Sequence, residues 1–291
     1  MTTYTFHSPD SVERLCSPAI WAEGPVWLPT QQRLIFSDVK GNRMFSWNDR
    51  HGVSLFRAES HFANGNALDG QGRIITCEHG RRGISRTDAD GNCSMLVDKI
   101  EGRRFNSPND VAIRQDGSIW FTDPPYGITS DEEGYRAESQ VIGCYVYRFN
   151  PASGKVAIAI CDTQRPNGIA FSPDDRWLYI ADMSVVDFPQ QGRREIRAYR
   201  LTGDNTLFSH VVAQITPGIP DGFCVDRAGN IYCSCENGVL ILSPQGSLLE
   251  KIAIPERVSN CTFGGKDNSE LYITATTSLY RVAINAAKAR Q

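Results

Sequence analysis

Residues 167–182 read Asn167-Gly-Ile-Ala-Phe-Ser-Pro-Asp-Asp-Arg-Trp-Leu-Tyr-Ile-Ala-Asp182. A short apolar run, a Ser-Pro-Asp-Asp turn and a second run of aromatic and β-branched residues predict a β-hairpin. The same unit opens at Glu23 (EGPVWLPTQQRLIFSD), Asn64 (NGNALDGQGRIITCE), Asn109 (NDVAIRQDGSIWFTD) and Asp221 (DGFCVDRAGNIYCSC), and less cleanly around Asn260 (VSNCTFGGKDNSELYITA). Successive starts lie 41, 45, 58, 54 and 39 residues apart. That period suits one four-stranded propeller blade. The expected fold is therefore all-β, a six-bladed β-propeller with four-stranded blades around a central channel. Second strands are expected at 34–36, 74–76, 119–121, 178–180, 231–233 and 271–273. Radial repetition brings equivalent positions to one axis. Glu23, Asn64, Asn109, Asn167, Asp221 and Asn260 are thus expected to form a ring of oxygen-bearing side chains.

The repeats occupy about residues 17–284 of 291, which predicts a single propeller domain over 1–291 with short extensions. The last unit leaves only SLYRVAI (278–284) for further strands, so an N-terminal segment, Ser17–Trp21, is expected to complete the last blade. Helix-like patterns are confined to Asp10–Leu15 and Ala286–Arg290. The charge is balanced, with 30 basic and 33 acidic residues and a net charge of −3. No basic block appears, which argues against a nucleic-acid partner. No apolar run approaches the roughly 18 residues of a membrane span, and no secretory leader is visible, so a cytoplasmic location is expected. The nine cysteines are scattered, several at strand positions, as reduced thiols serving as small apolar side chains. Two stretches exceed the usual spacing between units, 124–143 and 183–195. They read either as solvated insertions or as the rim of a pocket, on the face where the first strands begin.

Glu23, Asn167 and Asp221 each precede a small or apolar strand and are followed by glycine. Two carboxylates with amides supply the oxygen donors that hard divalent cations prefer, with positions left for water and substrate. No His or Cys cluster has zinc spacing. Asn and Asp at strand starts also simply cap turns, but recurrence in equivalent positions favours a site.

The ordered motifs AEGPVW (22–27), CEHG (77–80), NSPNDV (106–111), WFTDPPYG (120–127), RPNGIAFSPD (165–174) and PDGF (220–223) resemble the gluconolactonase/regucalcin (senescence marker protein) family over about residues 17–284. The resemblance implies a six-bladed propeller that hydrolyses sugar lactones with one divalent ion at the top of the channel. Ca²⁺ is the first expectation, with Zn²⁺, Mg²⁺ or Mn²⁺ as alternatives. It places metal ligands at Glu23, Asn167 and Asp221, with Asn109 contacting metal or substrate. The substrate-contacting Arg and Glu of animal members have no secure counterpart, Arg104 and Glu138 being merely nearby. Polar contacts are expected instead from the second repeat, around His79, Arg81 and Arg82.

A lactone needs a polarised carbonyl and an activated water, and a divalent ion can supply both. Asp221 is the candidate general base as well as a ligand, although a carboxylate on a cation is a weak base and the ion itself can activate the water. Substrate-binding candidates are Asn64, His79, Arg81, Asn109 and Tyr126. No GxSxG elbow supports serine-hydrolase chemistry. The alternatives are an aryl-ester or phosphotriester hydrolase on the same ion, or a non-enzymatic calcium-binding or docking propeller. The partner expected here is a small-molecule sugar lactone; oligomeric state is not legible.

Overall fold

The computed structural model describes residues 6–203 and 205–284. Six antiparallel four-stranded sheets follow one another along the chain. The first blade comprises Ala22–Leu28, Arg33–Asp38, Arg43–Asn48 and Gly52–Ala58; the fourth comprises Pro166–Phe171, Trp177–Asp182, Glu195–Thr202 and Asn205–Gln214. The first strand of each blade packs on the first strand of the next, and that of the sixth (Val258–Gly264) returns to Ala22–Leu28. The chain is therefore a closed six-bladed β-propeller, and all six expected second strands lie within the second strands of the blades.

Sheets with two apolar faces must be covered on both sides, and the blades cover one another. Second strands are almost wholly buried, whereas outer strands such as Asn205–Gln214 and Leu248–Ala253 are largely exposed. Large side chains fill the wedges between blades. Trp27 of the first blade stacks on Tyr272 of the sixth, with centroids 5.2 Å apart and 13° between planes. Fully buried Trp120, Tyr147 and Phe105 do the same around the third blade.

Closure differs from the expectation. The outermost strand of the sixth blade is His7–Cys16, paired antiparallel to Ser278–Ile284, and not 17–21. Residues 17–21 form the connection into the first blade, with the Ala19 amide donating to Thr277 O at 3.2 Å. The pattern read as helical at 10–15 is part of that closing strand. Six residues cannot nucleate an independent helix, while the edge of Ser278–Ile284 offers a ready ladder. The expected helix at 286–290 lies outside the described residues. All nine cysteines are free thiols.

The acid that ends the second strands has a local duty. Asp38 Oδ1 accepts the amides of Ile20 and Trp21 at 2.8 and 3.0 Å. Asp123 accepts those of Asn106 and Ser107, both at 2.8 Å, and Asp182 those of Gln164 and Arg165 at 2.9 and 3.3 Å. Each buried carboxylate fastens the chain segment entering its own blade.

Candidate active site at the channel mouth

The site is built from main chain first. The amide of Gly65 donates to Asn109 O at 2.8 Å, Gly168 to Asp221 O at 3.2 Å and Gly222 to Ser259 O at 2.7 Å, so neighbouring inner strands are tied near the axis. Hydroxyls from second strands add cross-blade ties. Ser37 donates to Asn64 O and Thr122 to Asn167 O, both at 2.7 Å; from a first strand, Ser259 donates to Ala22 O at 2.6 Å. Such close approach requires glycine after the site residue. At Gly24, φ is +47° and a Cβ would stand 2.0 Å from Asn64 O; at Gly168 it would stand 2.4 Å from Asp221 O.

Glu23, Asn64, Asn109, Asn167 and Asp221 line one cavity of about 240 Å³, together with Tyr126 and Glu133 from the stretch 124–143 and Met183 and Val186 from 183–195. Both long connections therefore stand on the face of the ring. The sixth expected member does not reach this cavity. Asn260 lies in the channel beneath, beside Asp110 and Asn66, where its Nδ2 donates to Asp110 Oδ2 at 3.4 Å and its Oδ1 accepts the Cys261 amide at 2.8 Å. Its repeat lacks the glycine that follows the other site residues, except at Asn109, where Asp110 follows.

Glu23, Asp110 and Asp221 are buried, and among the described residues none has an ion-pair partner. Burial pushes the Glu23 carboxyl well above the usual range, and neighbouring Asp221 and Asp110 push it further, against hydrogen bonds from the Gly24 amide (2.8 Å) and the Asn260 side chain. Burial likewise raises Asp221 to about 7, opposed chiefly by the charge of Arg257, and Asp110 to about 7. Mutually repelling buried carboxylates flanked by amides fit a hard divalent cation, which would relieve both desolvation and repulsion. Among the described residues, no group of three or more His, Cys, Asp or Glu side chains forms a metal cage; the donor set here would be two carboxylates completed by the amides of Asn167 and Asn109.

His79 does not line the cavity. It is fully buried beneath Asn64, and burial lowers its pKa to about 4, so the ring is neutral. Its Nδ1 lies 2.9 Å from the Glu133 carbonyl and must carry the proton; Nε2 then accepts from Asn64 Nδ2 at 3.2 Å. The ring thereby fixes the Asn64 amide and the stretch 124–143 together. Arg81 is also outside the cavity: its guanidinium pairs with buried Glu78, Nη2 donating to Oε1 at 2.7 Å. Arg82 Nε donates to Phe105 O at 2.6 Å. Arg104 donates to the carbonyl of Arg81, and the Glu138 carbonyl accepts from Arg82 at 3.4 Å. These arginines brace the connections around the second and third blades. Tyr126 does line the cavity; its hydroxyl is buried without a hydrogen-bond partner, and burial holds it protonated.

Reading by repeats missed several wall residues. Val39 follows Asp38 as Met183 follows Asp182, with Lys40 next, so the rule that placed the long connections on this face, applied to short ones, finds both. Trp21, Glu133 and Arg257 sit in connections without repeated pattern.

Residues 21–277 match the family model described as the SMP-30/Gluconolactonase/LRE-like region. The gluconolactonase of Zymomonas mobilis is 33% identical, over 93% of this chain and 80% of that protein. The regucalcin of Danio rerio is 27% identical, over 87% of this chain and 82% of that protein. A solved gluconolactonase from Xanthomonas campestris superposes with a TM-score of 0.88 at 37% identity, covering 94% of this chain and 89% of that one. With its six-bladed ring and its motifs in the same order, the chain belongs to the SMP-30/gluconolactonase/LRE-like family.

Proposed function

We propose that this protein hydrolyses a sugar lactone, with a divalent cation held by Glu23, Asn167 and Asp221 and approached by Asn109. The observation that carries the reading is a pair of buried carboxylates that, among the described residues, make no ion pair, in a cavity they share with the amides of Asn64, Asn109 and Asn167, on a scaffold whose relatives include gluconolactonases. Calcium suits the all-oxygen donor set, and Mg²⁺, Mn²⁺ or Zn²⁺ are the competitors. When bound, the cation supplies Lewis-acid polarisation of the lactone carbonyl and a lowered pKa for water.

The chain's own residues do the rest. Asp221 takes a proton from the attacking water, and the endocyclic C–O bond breaks as the ring oxygen is protonated, giving the open hydroxy acid. The unpaired Tyr126 hydroxyl donates to a sugar oxygen, and Asn64, fixed by His79, presents its amide carbonyl to a sugar hydroxyl. A buried polyhydroxylated ring needs such partners, because each unpaired hydroxyl costs about 1–3 kcal/mol.

The test is turnover of D-glucono-1,5-lactone by metal-stripped protein, before and after adding each cation. The stripped protein should be inactive and recover with at least one ion. Activity that persists after stripping removes the cation from the reading; no turnover with any of the four ions removes the lactonase.

A further inference from the structure

One cation of the cavity wall has no carboxylate in contact with it among the described residues. Glu23 and Asp221 would neutralise a divalent cation, and Lys40 is engaged by the loop acids, with Nζ 3.1 Å from Glu132 and 3.6 Å from Glu133. Arg257 remains. It lines the cavity while exposed at the mouth, and among the described residues no carboxylate pairs with it. Its guanidinium lies over the Trp21 ring, 5.5 Å from the centroid, and its carbonyl accepts the Thr276 amide at 3.0 Å. The side chain is thus oriented by an aromatic face and a fixed main chain, with its fork of donors unspent.

We propose, resting on the lactonase reading, that the physiological substrate is a lactone bearing an anionic substituent, and that Arg257, held over Trp21, is the residue that binds the anion. Carboxylate, sulfonate and phosphate share the planar or tripodal oxygen edge that a guanidinium grips bidentately. A neutral sugar lactone would leave the fork of guanidinium donors without an anion to grip. Because Arg257 is exposed, the preference weakens as ionic strength rises.

The experiment compares kcat/KM of calcium-loaded protein on D-glucono-1,5-lactone with that on 6-phospho-D-glucono-1,5-lactone and on a glucaric acid lactone, in wild type, Arg257→Gln and Arg257→Lys. Wild type should prefer at least one anionic lactone by about tenfold, as a single charge-assisted contact allows; the ratio should fall to about one in Arg257→Gln and be partly kept in Arg257→Lys. The better of the two charged substrates identifies the anion as phosphate or carboxylate. Calorimetry with glucose 6-phosphate against glucose reads the same contact without turnover. Equal efficiency on neutral and charged lactones overturns the proposal. So does an anion preference that survives in Arg257→Gln, since the anion would then sit on the cation. If no lactone is turned over, the lactonase reading fails, and calorimetry alone decides whether the anion subsite exists.

Discussion

Asp221 is most stable in the folded, metal-free chain as a neutral carboxyl, and this sets a pH dependence. Its folded pKa of about 7 stands above the usual carboxylate value, as does that of Asp110. A group of this kind holds its proton more tightly folded than unfolded, so its contribution to stability is full below about pH 4 and is lost as pH rises towards 7. Three pKa units correspond to about 4 kcal/mol for one such group, an upper bound for neighbours that titrate together. Metal-stripped wild type should therefore melt lower at pH 8 than at pH 5, and Asp221→Asn should lose less over that interval. Glu23→Gln and Asp221→Asn should both abolish lactone turnover while raising the metal-free melting temperature at pH 8 by about 5 °C. Lower metal-free melting in both variants would make these carboxylates structural. Glu23, Asn167 and Asp221 were legible because each stands before glycine at the start of a repeated strand. Asp110 was not, since it reads as the residue after Asn109 and its side-chain partner Asn260 lies 150 residues away in sequence.

The element scale is set by what fastens the connections. Tyr126–Thr129 forms a single helical turn, the Tyr135 amide donates to Gly127 O at 3.0 Å, and Tyr135 meets Phe62 edge-on with centroids 5.2 Å apart. The start of the stretch 124–143, through Gly134, is therefore anchored, while 135–140 lie exposed, so both readings of the insertion hold for part of it. Shortening 129–138 should mainly raise KM for sugar lactones and spare a small unsubstituted lactone, which has no hydroxyls to pair; equal losses on both would deny the loop a role in binding. The terminal aspartates were legible as repeats but not as fasteners, because their partners are backbone amides, which sequence does not distinguish. Asp123→Ala leaves two buried amides unpaired and should cost about 2–5 kcal/mol, measured by denaturant unfolding. A loss below about 1 kcal/mol would show that water replaces the carboxylate.

For the whole molecule, ring closure was legible in kind but misplaced in sequence. The shortage of strands after 284 pointed to an N-terminal segment such as Ser17–Trp21, whereas His7–Cys16 carries the strand because pairing with Ser278–Ile284 covers an edge whatever the local pattern. Removing residues 1–16 should lower the melting temperature and promote self-association through the bared edge, seen by light scattering; unchanged melting and scattering would mean the closing strand contributes little. The arrangement also has a consequence for biosynthesis. His7–Cys16 leaves the ribosome before every other strand described here, yet its partner Ser278–Ile284 leaves after all of them. Five blades can assemble as they emerge, but the ring stays open until translation has passed its final strand. The early segment must wait unpaired through that interval, and closing so long a loop is a slow, late event. A stalled or truncated nascent chain would then be a horseshoe with a sticky end, a natural client for chaperones.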